Sequence, residues 1–231
     1  MAEVGQGADL VVAVLVAEGV TATDAVNAAE ALAMVPGAAV KFVGPEKGPK
    51  RTFPGPFHLV ADYTFDEVPH PDVIVVPADL SSFGDSRTLA WLQQAHETSR
   101  FTTSVCAGAI TLGAAGLLAG KQATTHWFVK DVLESMGAKY VPERWVQDGK
   151  IVTAAGNSAG IDMVLFLIGE IAGPEMARAV QLGMEYDPQP PFDSGSLRTA
   201  DAATVDLSAK LIQAGLIEAG APPAMLALTA R

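Results

Sequence analysis

Apolar positions in this chain fall into short unbroken runs, separated by alanine-rich stretches and by turns of Gly, Pro and Asp. The run from Leu10 to Val16 is rich in β-branched residues and apolar throughout, the pattern of a parallel strand buried on both faces. Asp24 to Met34 has the alanine content and spacing of a helix, and Ala39 to Val43 reads as a second strand before the turn Gly44–Pro49. Pro54-Gly55-Pro56 forbids regular structure locally, so Thr52 to Ala61 is expected as a small hairpin or loop. The apolar run inside Pro71–Pro77 predicts a strand, followed by a helix from about Ser86 to Glu97. Phe101 to Val105 predicts a strand that leads straight into Cys106, with a buried helix over Ala107 to Leu118. Thr124 to Trp127 is expected to open a helix ending near Met136. Tyr140 to Thr153 predicts a hairpin turning at Asp148-Gly149, and a last core helix spans about Ala159 to Ile171.

Strands alternating with helices over about 170 residues predict an α/β sandwich whose parallel sheet is covered on both faces. Ligands then collect at the carboxyl ends of the strands. After Gly173 the pattern turns helical, is broken by Asp187-Pro-Gln-Pro-Pro191, and ends in a weakly amphipathic helix over about Ala202 to Ala219. That tail has too little apolar material for a core of its own. The expectation is one domain over 1–231, with a core at about 8–185 and a helical appendage at about 186–231 resting on the domain or on a partner subunit.

Composition narrows the function. Of 231 residues, 49% are apolar and 18% charged, which excludes a disordered chain. The net charge of -11 opposes a phosphate backbone, so neither nucleic acid nor an anionic membrane is an expected partner. The apolar run near the N-terminus is too short to span a bilayer and follows Glu3 and Asp9, which points to a cytoplasmic protein. One cysteine and four scattered histidines predict no metal site and no disulfide.

Cys106 is the residue most suited to chemistry. It lies where a strand ends and a helix begins, so unpaired amides and the positive end of the helix dipole are expected to favour the thiolate. The competing reading is a buried cysteine acting as a small hydrophobe, for which a raised thiol pKa would be the sign.

The segment from Ser104-Val-Cys-Ala-Gly-Ala-Ile-Thr-Leu-Gly113 through Thr124-Thr-His-Trp127 resembles the nucleophile segment of the ThiJ/PfpI superfamily, most closely its isonitrile hydratase branch. Ala155-Gly-Asn-Ser-Ala-Gly-Ile-Asp162 and Gln181 to Phe192 continue the likeness. The resemblance implies a flavodoxin-like three-layer sandwich, a homodimer, and a cysteine on a strained elbow served by an acidic residue from the loop after the first strand. Matched residue by residue, that acid is Asp24, which as a residue type also suits a helix N-cap; Glu18 is the second choice. Ala78, Asp79, Ala107 and Asn157 then fall in the substrate pocket. His126 resembles a structural residue that opens a helix.

Three positions depart from the branch. Ala107 stands where it has threonine, whose hydroxyl assists the aspartate. Pro77-Ala78-Asp79 replaces Pro-Gly-Gly, and Asp79 would bring negative charge toward a site that stabilises an anion. Asp24-Ala-Val-Asn27-Ala28 replaces Asp-x-x-Gly-Pro. Asn157 is expected either to restore a hydrogen bond or to tie its loop. The resemblance implies a cofactor-free hydratase that adds water to an isonitrile, a small-molecule electrophile, through a covalent thioimidate, with the Ala78 and Ala107 amides steadying charge. Two alternatives stay open: an α-oxoaldehyde or pathway-specific substrate, and a redox or ligand sensor in which Cys106 is oxidised.

Overall fold

The long apolar runs of the sequence form the central strands of the computed structural model, which describes residues 10–223 and 226. In chain order the first elements are β1 (Leu10–Leu15), α1 (Ala22–Ala33), β2 (Ala38–Gly44), β3 (Gly48–Arg51), β4 (His58–Ala61), β5 (Tyr63–Thr64) and β6 (Val73–Val76). They are followed by α2 (Ser86–Thr98), β7 (Phe101–Val105), α3 (Gly108–Ala114), β8 (Gln122–Ala123), α4 (Lys130–Ser135) and β9 (Lys139–Tyr140). The chain continues through β10 (Trp145–Asp148), β11 (Ile151–Ala154), α5 (Asn157–Ala172), α6 (Pro174–Gly183) and α7 (Ala202–Glu218).

Seven strands form the main sheet in the order β10-β11-β7-β6-β1-β2-β5. Every pair is parallel except β10 with β11 at one edge. Counting only β1, β2, β6, β7 and β11, the order is 2-1-3-4-5, the doubly wound arrangement whose ligand crevice opens where the winding reverses, here between β1 and β6. Alternation along β1 serves two cores. Val12 and Val14 pack with Ala28 and Leu32 of α1 and with Met163 and Leu167 of α5. Ala13 and Leu15 pack with Trp91 and Leu92 of α2, Leu112 of α3 and Leu133 of α4. Because both faces are covered, the central strands carry no polar alternation. Among the described residues, no helix is long and apolar enough to cross a membrane.

Several boundaries differ from those predicted, each for a local reason. The hairpin expected over Thr52–Ala61 begins four residues earlier, because Gly48 to Arg51 pair with His58 to Ala61. The helix after Cys106 ends at Ala114 instead of Leu118. Gly116 takes a φ of 77°, Leu117 N–H donates to Leu112 C=O at 3.0 Å and Gly116 N–H to Gly113 C=O at 2.9 Å, the paired bonds of a Schellman stop. Thr124 to His126 are not helical; the chain passes from β8 through a single tight turn at Trp127–Val129 before α4 begins at Lys130. The late hairpin turns at Gly149-Lys150, one residue on, since Asp148 still pairs with Ile151.

One close approach fixes how β7 enters α3. A Cβ added to Gly108 would lie 2.0 Å from the Val76 carbonyl oxygen and 2.9 Å from the Pro77 carbonyl carbon. Both contacts are backbone, so neither can swing aside. Gly108→Ala is expected to cost at least about 2 kcal/mol, within the range for overpacking of a tight site. Urea unfolding of the two proteins measures it, with Gly113→Ala, which would meet only the flexible Met136 side chain, losing less.

Candidate active site

Three loops meet at the carboxyl edge of the sheet, after β1, β6 and β7. The first two are strapped together by backbone. Thr21 N–H donates to Ala78 C=O at 2.7 Å and Leu80 N–H to Glu18 C=O at 3.2 Å. Ala78 N–H donates to Asp24 Oδ2 at 3.2 Å. Asp24 is thereby held in the first turn of α1 with 1% of its surface exposed, and its Oδ1 has no hydrogen-bond partner. Thr21 occupies the N-cap position, so Asp24 does not cap the helix. Burial outweighs the single amide and pushes its carboxyl up from 3.8 to about 7.

Cys106 follows β7 with a φ of 60°, the left-handed region that costs a non-glycine residue about 1 to 3 kcal/mol. Both of its backbone groups are pinned. Its N–H donates to Ala154 C=O at 3.0 Å, extending the β7–β11 ladder by one residue, and its C=O accepts from Thr125 Oγ1 at 2.9 Å. The residue is partly exposed and lines a cavity of about 800 Å³. The thiol is not acidified as the sequence predicts. Burial and the neighbouring Asp24 charge push it well above its ordinary value, and the Ala107 N–H pulls only weakly the other way. The helix expected to lower it, α3, is seven residues long. The raised thiol is the sign expected of a buried, hydrophobe-like cysteine; what sets Cys106 apart from one is its partly exposed place in the cavity lining, near a carboxyl group that titrates at about 7.

Ala78, Asp79, Ala107 and Asn157 line the cavity beside Cys106, whereas Asp24 is not among its lining residues. Their roles differ from the expectation at two positions. The Ala78 N–H is committed to Asp24 and does not face a substrate charge. Asp79 folds back on its own chain, its Oδ1 accepting from the N–H groups of Ser81 at 2.7 Å and Ser82 at 2.6 Å, and burial raises its pKa. Asn157 opens α5 and its Nδ2 donates to Thr23 Oγ1 at 2.6 Å, tying that helix to the residue before Asp24. Glu18, the second choice for the acid, is exposed and its carboxylate reaches the Arg51 N–H instead of the cavity.

Other residues of the cavity carry weaker signals in the sequence. His126 lines it with Nδ1 accepting from Phe128 N–H at 3.4 Å, and burial lowers its pKa, which keeps the ring neutral. Phe53 and Phe57 reach it from the β3–β4 hairpin, and Leu211, Ile212 and Leu216 from α7. Thr125 is recognisable only as half of a Thr-Thr pair, and its hold on the elbow carbonyl depends on a contact 19 residues along the chain. Among the described residues, no group of three or more His, Cys, Asp or Glu is placed to hold a metal ion.

The raised carboxyl has a stability consequence. Ionising Asp24 in the folded protein costs about 1.4 kcal/mol for each pH unit between 3.8 and about 7, on the order of 4 kcal/mol in all. A folded-state pKa above the unfolded one gives stability that is full below pH 3.8 and is lost as pH rises through 7. Asp24→Asn is expected to match the parent near pH 4 and to exceed it by a few kcal/mol at pH 8. Denaturant unfolding across that range measures the gap; parallel curves would contradict it.

A family model described as the DJ-1/PfpI family matches residues 11–170. An isonitrile hydratase from Pseudomonas putida is 42% identical over 184 residues, covering 78% of this chain and 80% of that protein. A crystal structure of a ThiJ/PfpI family protein from Pseudomonas syringae superimposes with a TM-score of 0.87 at 32% identity, over 99% of this chain and 94% of that one. Drosophila melanogaster DJ-1beta shares the fold, with a TM-score of 0.71 at 22% identity over 77% of this chain and 98% of that one. With the elbow cysteine, the 2-1-3-4-5 sheet and the strapped loops beside it, these likenesses have one meaning: the chain belongs to the DJ-1/PfpI family.

Proposed function

We propose that the protein is a cysteine-dependent isonitrile hydratase, converting an isonitrile and water into an N-substituted formamide. The observation that carries this reading is the pairing of an elbow thiol, at the floor of a largely apolar cavity, with a buried carboxyl group poised near pH 7. The likeness to the Pseudomonas putida hydratase supports it.

A carboxylate with a pKa near the working pH both accepts and returns a proton readily. Ionised Asp24 takes the Cys106 proton as sulfur bonds to the terminal isonitrile carbon, and then delivers it to that carbon. The product of this step is a thioimidate, R–N=CH–S–Cys106, and Asp24 is again ionised. Asp24 next takes a proton from water as the oxygen adds to the same carbon and passes that proton to the nitrogen, which leaves it ionised again. Collapse of the R–NH–CH(OH)–S adduct breaks the C–S bond, releases R–NH–CHO and returns the thiol. Water and isonitrile are the only reactants consumed, and no redox change occurs. The Ala78 N–H orients the Asp24 carboxylate instead of steadying charge on the substrate. Ala107 offers no hydroxyl, so proton transfer rests on Asp24 alone.

An α-oxoaldehyde substrate fits this cavity less well. A small, strongly hydrated dicarbonyl gains little from Phe53, Phe57, Phe83 and Phe128, which line the space above the sulfur.

Formamide release from benzyl isocyanide, followed by chromatography, is expected in the parent and absent in Cys106→Ala. In the parent, kcat/KM should rise with pH through about 7 as Asp24 ionises. Asp24→Asn should lose at least about 100-fold in rate, the scale of general acid–base catalysis. The same variant should shift the alkylation of Cys106 by iodoacetamide to lower pH, because the charge that raises the thiol is gone. A thiol whose alkylation profile ignores Asp24→Asn would separate the two groups and overturn the mechanism.

A further inference from the structure

The cavity is larger and more apolar in its lining than the chemistry at its floor requires. About 800 Å³ lies in the range of pockets that hold drug-sized ligands, whereas an isonitrile group and one water occupy a small fraction of it. Besides Cys106, Asp79 and His126 are the titratable side chains in its lining among the described residues. Asp79 is turned to the Ser81 and Ser82 amides, and His126 is neutral. None of the described lining residues is a lysine or arginine that could receive a phosphate or carboxylate, and burying an unpaired charge there would be costly.

The distal wall comes from α7, a helix far along the chain from the sulfur. Its inward stripe runs through Val205, Ala209, Ile212 and Leu216 at helical spacing, while Leu207 and Ile217 on the other sides are 59% and 61% exposed. Leu216 is buried at 6% exposure, and Gly215 seats the helix on the β3–β4 loop, where a Cβ would come within 3.3 Å of the Phe53 ring. The helix thus lines one side of the cavity with branched aliphatic side chains, near the hairpin aromatics.

We infer that α7 is the specificity element of this site, with Ile212 and Leu216 receiving a bulky, uncharged apolar substituent, aryl or larger, on the electrophile that Cys106 attacks. The inference rests on the reaction proposed above for the identity of the electrophile, and on the cavity alone for the size and polarity of its substituent.

Two measurements on the full chain separate these. The first is the ratio of kcat/KM for 2-naphthyl isocyanide to that for methyl isocyanide. The second is the ratio of Cys106 alkylation rates by N-phenylmaleimide and N-methylmaleimide, which reads the cavity without any hydration. The parent is expected to favour the larger member of each pair by tenfold or more. Ile212→Trp, which fills the distal wall, should lower both ratios at least about tenfold, a change on the scale that pocket size produces. Leu207→Trp, on the exposed side of the same helix, should leave both ratios as in the parent. If no isonitrile reacts but the maleimide ratio still collapses in Ile212→Trp, the reaction is wrong and the specificity role stands. If formamide forms and neither ratio responds to Ile212→Trp, the role of α7 is overturned and the reaction stands.

Discussion

A buried carboxyl group, 1% exposed and with one backbone N–H to accept from, is the constraint around which this site is organised. Desolvation of Asp24 opposes its ionisation, and the Ala78 amide recovers only part of the lost hydration. The same amide belongs to the loop after β6, so the carboxylate can sit where it does only while the β1 and β6 loops stay strapped by Thr21–Ala78 and Glu18–Leu80. The strap lies at the winding reversal of the sheet, where adjacent connections diverge to opposite faces and leave an open crevice. Cys106 reaches that crevice from the next strand over. Its left-handed backbone is sustained by Ala154 on one side and Thr125 on the other, and by the absence of a side chain at Gly108. A costly dihedral and a costly burial are thus both supported by rigid backbone, as expected of groups held for chemistry.

The central sheet was legible in the sequence because its strands are buried on both faces, and β-branched runs such as Val73–Val76 have few other uses. The short pairs were not. Tyr63–Thr64, Gln122–Ala123 and Lys139–Tyr140 are two-residue strands whose pairing partners lie at a distance along the chain, and two residues carry no period. Gly116 did mark the true end of α3, but Gly113 and Gly120 on either side offer other stops, and only the Schellman bonds choose among them. At the site, position was easier to read than electrostatics. A strand-to-helix junction places Cys106 from sequence alone. Whether its thiol is lowered or raised depends on how much water and which charges surround it, and burial and the Asp24 charge, which raise it, are set by the fold. The roles of Ala78 and Asp79 were misread for the same reason: an amide or carboxylate has several partners within reach, and the chain path selects one. The α7 stripe was visible as an amphipathic helix, though nothing local says which surface it covers.

The division of labour along the chain has a consequence for how such a protein changes over time. The stretch matched by the family model ends at residue 170, and it contains the sulfur, the carboxyl group and the backbone that strains and straps them. The far wall is furnished from residues 211 to 216, beyond that stretch. Substitutions there leave the sheet and its two cores untouched, because no α7 side chain belongs to either core. One wall of the cavity can therefore be reshaped through a single peripheral helix while the backbone around Cys106 and Asp24 keeps its geometry.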